Sequence, residues 1–133
     1  MSNNLAVKSG DDLTEVFKEI FGDCVTEINE ASKEASKTVA AECVKRLKST
    51  SPRSKGHTKY AKSWKSKKID DGYVVYSDMP GLTHLLEHGH DIIKNGVKVG
   101  RTKAQPHIKP VEEEGKALFI DEVTKEVNKR LSQ

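Results

Sequence analysis

Between Leu13 and Leu47 the apolar positions fall at Leu13, Val16, Phe17, Ile20, Phe21, Cys24, Ile28, Ala31, Ala35, Val39, Cys43 and Leu47. Nearly every step is three or four residues, so the spacing predicts one amphipathic helix. Ser9 to Asp12 offers side chains that can cap its start, and Ser49-Thr50-Ser51-Pro52 stops it, because proline disfavours helix at the residue before it. A straight helix from Asp11 to Leu47 would run about 55 Å, longer than a domain of this size is wide. A break near Gly22 or a projecting end is therefore expected. The second half of the stripe is mostly alanine, which lets a neighbouring element approach closely.

After the helix the period changes. Ala61–Ile69 and Tyr73–Tyr76 flank Asp70-Asp71-Gly72, a turn signal between two strand-like runs, and predict an antiparallel hairpin. Asp78-Met79-Pro80-Gly81 is a second turn, and Leu82 to Gly89 reads as a short helix closed by glycine. Asp91-Ile92-Ile93-Lys94 and Val97-Lys98-Val99 surround Asn95-Gly96, the pattern of a second hairpin or of a projecting loop. Pro106-His107-Ile108-Lys109-Pro110 is too proline-bound for a central strand and is expected as an extended edge segment. Val111–Leu131 predicts a last helix with Leu118, Phe119, Val123, Val127 and Leu131 on its apolar face. Glu112, Glu113 and Glu114 suit the positive end of its dipole. Together these elements predict an α+β fold. The long N-terminal helix and the C-terminal helix would pack on one face of a small antiparallel sheet, with a short helix between strands. Residues 1–10 read as a disordered leader and 11–133 as a single domain.

Charge divides the chain into thirds. Residues 1–50 carry 7 basic and 9 acidic side chains, 51–110 carry 12 and 5, and 111–133 carry 4 and 6. The basic middle can meet nucleic acid, an acidic protein surface or only water. Within it, Arg53–Lys68 holds seven basic residues and no acidic one, with Tyr60 and Trp64 among them. Such a run can bind nucleic acid by phosphate contact and base stacking. The plainer alternative is a solvated loop leading into an edge strand, with Trp64 turned to the core. No run of eighteen apolar residues occurs and residues 1–10 carry no secretory signal, so a soluble protein made in a cytoplasm is expected. Cys24 and Cys43 lie nineteen apart on the helical stripe and read as reduced packing residues.

Three of the five histidines fall in Leu82-Thr83-His84-Leu85-Leu86-Glu87-His88-Gly89-His90. His84-x-x-Glu87-His88 has the form of an inverted zincin motif, in which two histidines one turn apart hold zinc and the glutamate activates a bound water. A third ligand would have to come from His90, His107 or a later acid. The leucines between the ligands and the glycine that ends the helix at once argue against a rigid metal platform. No glycine-rich phosphate loop, nucleophile elbow or cysteine–histidine pair is present.

The same nine residues, a lysine- and glycine-bearing loop around Asn95-Gly96, and Pro106-His107-Ile108 followed by Pro110-x-Glu112-Glu113 resemble the gene-ten-like family of tailed-phage neck proteins, named for phage HK-ninety-seven. Ser51-Pro52 and Tyr60-Ala61-Lys62-Ser63-Trp64 are similar to another block of that family, and the likeness runs from about Leu47 to Gly115. Gly56-His57-Thr58 replaces the Thr-Gly pair usual after the proline, and Val111 stands where alanine is frequent. The resemblance implies a virion structural component of the neck region that acts in head–tail joining or tail completion. It implies no enzymatic activity, no cofactor, and assembly in the host cytoplasm. Its partners would be copies of itself in a ring and phage portal, head-completion or tail proteins, with DNA contact secondary and no membrane. The signature positions would be Trp64, Leu82, Thr83, His84, Leu85, Leu86, Glu87, Gly89, His90, Pro106, His107 and Pro110. Of these, Trp64 and Leu85 are expected in the core, and His84, Glu87 and His90 are expected to hold the short helix against the loop from Asn95 to His107. The Lys94, Lys98, Arg101 and Lys103 loop would meet a partner ring or DNA.

Overall fold

The computed structural model describes residues 10–54 and 56–132, so the expected leader, Gly10 apart, lies outside the described residues. The order is α1 (Gly10–Thr50), β1 (Trp64–Ile69), β2 (Gly72–Ser77), α2 (Pro80–His88), β3 (Asp91–Lys94), β4 (Val97–Arg101) and α3 (Ile108–Leu131). The α+β class holds. The single sheet does not: β1–β2 and β3–β4 are two separate antiparallel ribbons. Each hairpin closes through its own turn, and the hydrogen bonds of one never reach the edge of the other.

Helix α1 is continuous for 41 residues, about 60 Å. Gly22 does not break it; one glycine costs about 1 kcal/mol in a helix, less than a stop signal requires. The alternative, a projecting end, is what occurs. Helix α3 runs antiparallel along the C-terminal part of α1, with Arg46 bonded to Glu114 at one end and Arg130 to Glu27 at 3.3 Å at the other. Everything in α1 before Glu27 extends past the end of α3. The alanine half of the stripe does allow close packing, since Ala31, Ala35 and Ala40 are buried.

Contact between the helices is closest at Gly115, where an added Cβ would sit 2.9 Å from Cys43 Sγ. Gly115→Ala is therefore expected to destabilise by about 1 kcal/mol, overpacking outweighing the gain in helix propensity. In a Cys43→Ala background the same change should stabilise by about 0.5–1 kcal/mol, because the obstacle is gone and the propensity gain remains. Urea unfolding of the four proteins of that cycle measures both numbers.

The core gathers Leu47, Tyr60, Trp64 and Val111, with Cys43, Val75, Met79, Leu82 and Leu86 packed around them. Among the described residues no large side chain is fully sealed from solvent. Trp64 takes its expected place. Leu85 does not: it is 40% exposed, because in the nine-residue α2 the inward face is Leu82, Leu86 and Glu87, which leaves Leu85 outside. Leu131, expected on the buried face of the last helix, is also exposed. Cys24 is exposed rather than a packing residue, and Cys43 is half-buried.

Candidate functional site

Of the residues singled out from the sequence, Tyr60, Trp64, Glu87 and His107 converge where α2 meets the start of α3. Helix α3 begins at Ile108 with no side-chain cap from His107 or any other local residue. The unpaired N–H groups of its first turn are met instead by Glu87, reaching across from α2. Glu87 Oε1 accepts from the backbone N–H groups of His107 (2.7 Å) and Ile108 (2.8 Å), and Oε2 accepts from Lys109 (3.1 Å). A carboxylate at a helix N-terminus gains from both the donors and the helix dipole. Pro110 sits in that first turn, where its missing N–H costs nothing. Ile108, Lys109 and Pro110 of the expected extended edge segment are thus the start of α3, and Pro106 and His107 end the irregular connection, 102–107, that precedes it.

His107, 3% exposed, extends the network. Its Nδ1 lies 2.7 Å from the Gln105 carbonyl and 3.0 Å from Glu87 Oε1, and its Nε2 lies 2.7 Å from the Tyr60 hydroxyl. In the neutral ring Nδ1 carries the proton toward those two acceptors, and Nε2 accepts from Tyr60. Tyr60 and Trp64 both stand edge-on to the His107 ring. Trp64 Nε1 donates to Ser51 Oγ at 2.8 Å, which anchors the core to the end of α1. Ser63, bonded to Ser77 at 2.6 Å, ties the same segment to β2.

Burial pushes the Tyr60 hydroxyl up to about 12, with the nearby Glu87 charge adding to it. The hydroxyl therefore stays protonated. Burial alone would push the Glu87 carboxyl up, but the three backbone donors and then His107 together hold it below its ordinary value. A carboxyl lowered in the folded state contributes stability that is complete above its unfolded value, about 4.3. That contribution is lost as pH falls through the lower, folded value. Glu87→Gln should remove this acid limb: the urea midpoint of the variant is expected to change less than that of the parent between about pH 5 and 2.

Thr83 and His90 have local structural roles. Thr83 donates to the Pro80 carbonyl at 2.7 Å. The His90 N–H donates to Thr102 Oγ1, and the Thr102 N–H donates to the His90 carbonyl, both at 2.8 Å. Gly89, immediately before His90, has φ +75°. Glu87 and His90 thus hold α2 to the segment that follows β4, as anticipated. His84 does not take part: it is exposed, and its ring faces that of His88 at 6.3 Å. Glu87 points away from both, into the protein, with its oxygens committed to α3. Of the zincin pattern the two histidines are neighbours but Glu87 is turned away from them, and among the described residues no group of three or more His, Cys, Asp or Glu can hold a metal ion.

Tyr60 and Trp64 are buried within the basic segment 53–68, so neither ring is available for stacking on a base. Lys62, Lys67 and Lys68 remain exposed there, while Lys65 pairs with Asp78. Of the loop cations, Lys98 and Arg101 both bond to Asp91, at 3.2 and 2.9 Å, and Arg101 also donates to the His88 carbonyl. Lys94 and Lys103 are exposed. Sequence reasoning placed Glu87 and His107 in one block and the next. It did not foresee Tyr60 as the partner of His107, a contact across 47 residues that leaves no local signal. No helix among the described residues is long and apolar enough to cross a membrane. No protein-family model, curated protein or solved structure matches the chain.

Proposed function

We propose that this chain is a non-enzymatic structural subunit of a phage neck, joining head to tail or completing the tail through protein–protein contacts. The observation that carries the proposal is the convergence of the blocks behind the resemblance. Tyr60 from the first, Glu87 from the second and His107 from the third are joined by buried hydrogen bonds, and Trp64, itself bonded to Ser51, stands edge-on to the Tyr60 and His107 rings. Residues tied up in that way specify a fold and are not free to do chemistry on a substrate. The polar groups of these blocks are consumed inside, and exposed apolar side chains elsewhere, among them Phe17, Phe21, Ile93, Val97 and Ile120, are surface the subunit offers to partners. Exposed apolar patches of this kind mark protein interfaces. On this reading the subunit works as a ring of copies in the virion neck, built in the host cytoplasm against portal, head-completion or tail proteins. DNA contact through the exposed lysines is secondary.

Deleting the gene from the phage or prophage that carries it tests the proposal. Electron microscopy is expected to find filled heads and free tails that do not join, with joining restored by the gene in trans. Normal joined particles from the deletion would sink the proposal.

A further inference from the structure

An open apolar groove of about 660 Å³ runs between α1, β2 and α3. Its floor is the α1 face from Ser36 to Leu47, and its walls include Val75, Val111, Phe119 and Ile120. A small-molecule pocket of this size fixes its guest with converging polar groups. Here the charged lining residues, Glu112 and Lys116, stand exposed at the edge.

The projecting part of α1 carries the opposite shape. Phe17, Phe21, Val25 and Ile28 are each half or more exposed, and the Phe17 and Phe21 rings stack at 6.2 Å. This stripe spans twelve residues, about 17 Å from first to last, and so does the groove floor. Charge agrees as well. Residues 15–30 hold five acidic side chains against one lysine. The groove rim carries two lysines against one acid: Lys116 and Glu112 line it, and Lys68 pairs with Tyr73, a lining residue, across the ribbon and so shares its face. Because α1 is one uninterrupted helix, the stripe cannot fold back into the groove of its own chain.

We infer that the groove takes the Phe17–Ile28 stripe of a second copy of this chain, so that copies associate head to tail. The inference rests on the ring-forming reading above and names the two surfaces such a ring would use. A stripe on one copy and a groove on the next make a heterologous contact, which closes into a ring when the rotation permits.

Two pairs of substitutions test it on the full chain. Phe17→Asp with Phe21→Asp disables the stripe, and Lys116→Glu with Ile120→Asp disables the groove at exposed positions. Circular dichroism melts check that each variant folds. The parent is expected to be an oligomer by light scattering and each variant a monomer, while a 1:1 mixture of the two variants recovers a dimer, one intact stripe in one intact groove. The native cysteines give a second measurement. Cys24 lies on the stripe and Cys43 lines the groove, about 28 Å apart along one α1. A short bismaleimide should therefore link Cys24 of one copy to Cys43 of another, and Cys24→Ser should abolish the link.

A monomeric parent, a groove variant that still self-associates, a mixture that stays monomeric, or Cys24–Cys24 links in place of Cys24–Cys43 would each overturn the inference. The neck proposal fails separately. A head-to-tail oligomer whose loss leaves particles joined overturns the neck function and spares this contact. Particles that need the protein yet tolerate the stripe variant overturn this contact and spare the neck function.

Discussion

Replacing Glu87 with alanine is expected to destabilise the fold by about 3–4 kcal/mol, a large part of the roughly 5–15 kcal/mol that holds a domain together. Three backbone N–H groups lose their acceptor at once, and His107 Nδ1 keeps only the Gln105 carbonyl. Removing one partner of a buried, hydrogen-bonded charged site costs about 3–5 kcal/mol, and loss of an ordinary helix cap about 1. The expected value takes the lower part of the first range because the far end of the cap lies near the surface, Ile108 being half-buried and Lys109 exposed. Glu87→Gln should cost about half as much, since its carbonyl oxygen can still accept from His107 and Ile108 while its amide group opposes the Lys109 N–H. Glu113→Ala, on the exposed surface of α3, should stay within about 0.5 kcal/mol. Urea unfolding gives all three values, and a Glu87→Ala protein within 1 kcal/mol of the parent would show that the carboxylate is not the cap of α3.

Gly89→Ala should be as damaging, by about 3–5 kcal/mol, for a different reason. Gly89 closes α2 at φ +75° and ψ 170°, a region that residues other than glycine enter at a cost of about 1–3 kcal/mol. An added Cβ would also lie 2.5 Å from the Thr102 carbonyl oxygen and 3.2 Å from the Ala104 nitrogen. Both obstacles are backbone, so no rotamer change relieves them, and Thr102 is itself bonded to His90. Overpacking of this kind adds about 1–3 kcal/mol. Gly22→Ala provides the contrast. Nothing lies within 4 Å of its Cβ position, and the site is inside α1, so the change should stabilise by about 0.5–1 kcal/mol. Thermal melts of the two variants should move in opposite directions, and equal shifts would refute the assignment of strain to Gly89.

The elements that local chemistry determines were legible in the sequence. Asp70-Asp71-Gly72 and Asn95-Gly96 marked both hairpins; Asn95 and Gly96 both adopt positive φ, as a two-residue hairpin turn requires. The steps of three and four marked α1, and its alanines marked the close face. What could not be read was set by distant partners. Whether two hairpins share a sheet depends on edges that the turn residues do not control. The start of α3 was misplaced by three residues because its cap is supplied by α2, so no capping side chain precedes it in sequence. Leu85 looked like core because leucine is apolar, yet in a helix of nine residues the inward face takes only part of the apolar set, and Glu87 occupies a buried place that composition would have given to a leucine. The network was only half visible: Tyr60, Glu87 and His107 all belonged to recognisable blocks, but nothing local shows that Tyr60 meets His107, a contact across 47 residues.

The loan of a cap from one helix to another also fixes how the molecule comes apart. Helix α3 has no N-terminal stop of its own, so its first turn is satisfied only while α2 is docked, and α2 in turn is held by the segment leading to α3 through the bond from the Gln105 N–H to the Leu86 carbonyl. Neither helix end can fray without exposing the other. The amides of His107, Ile108 and Lys109 therefore belong to the same cooperative unit as Leu86, and their hydrogen exchange tracks opening of α2 rather than of the helix in which they lie.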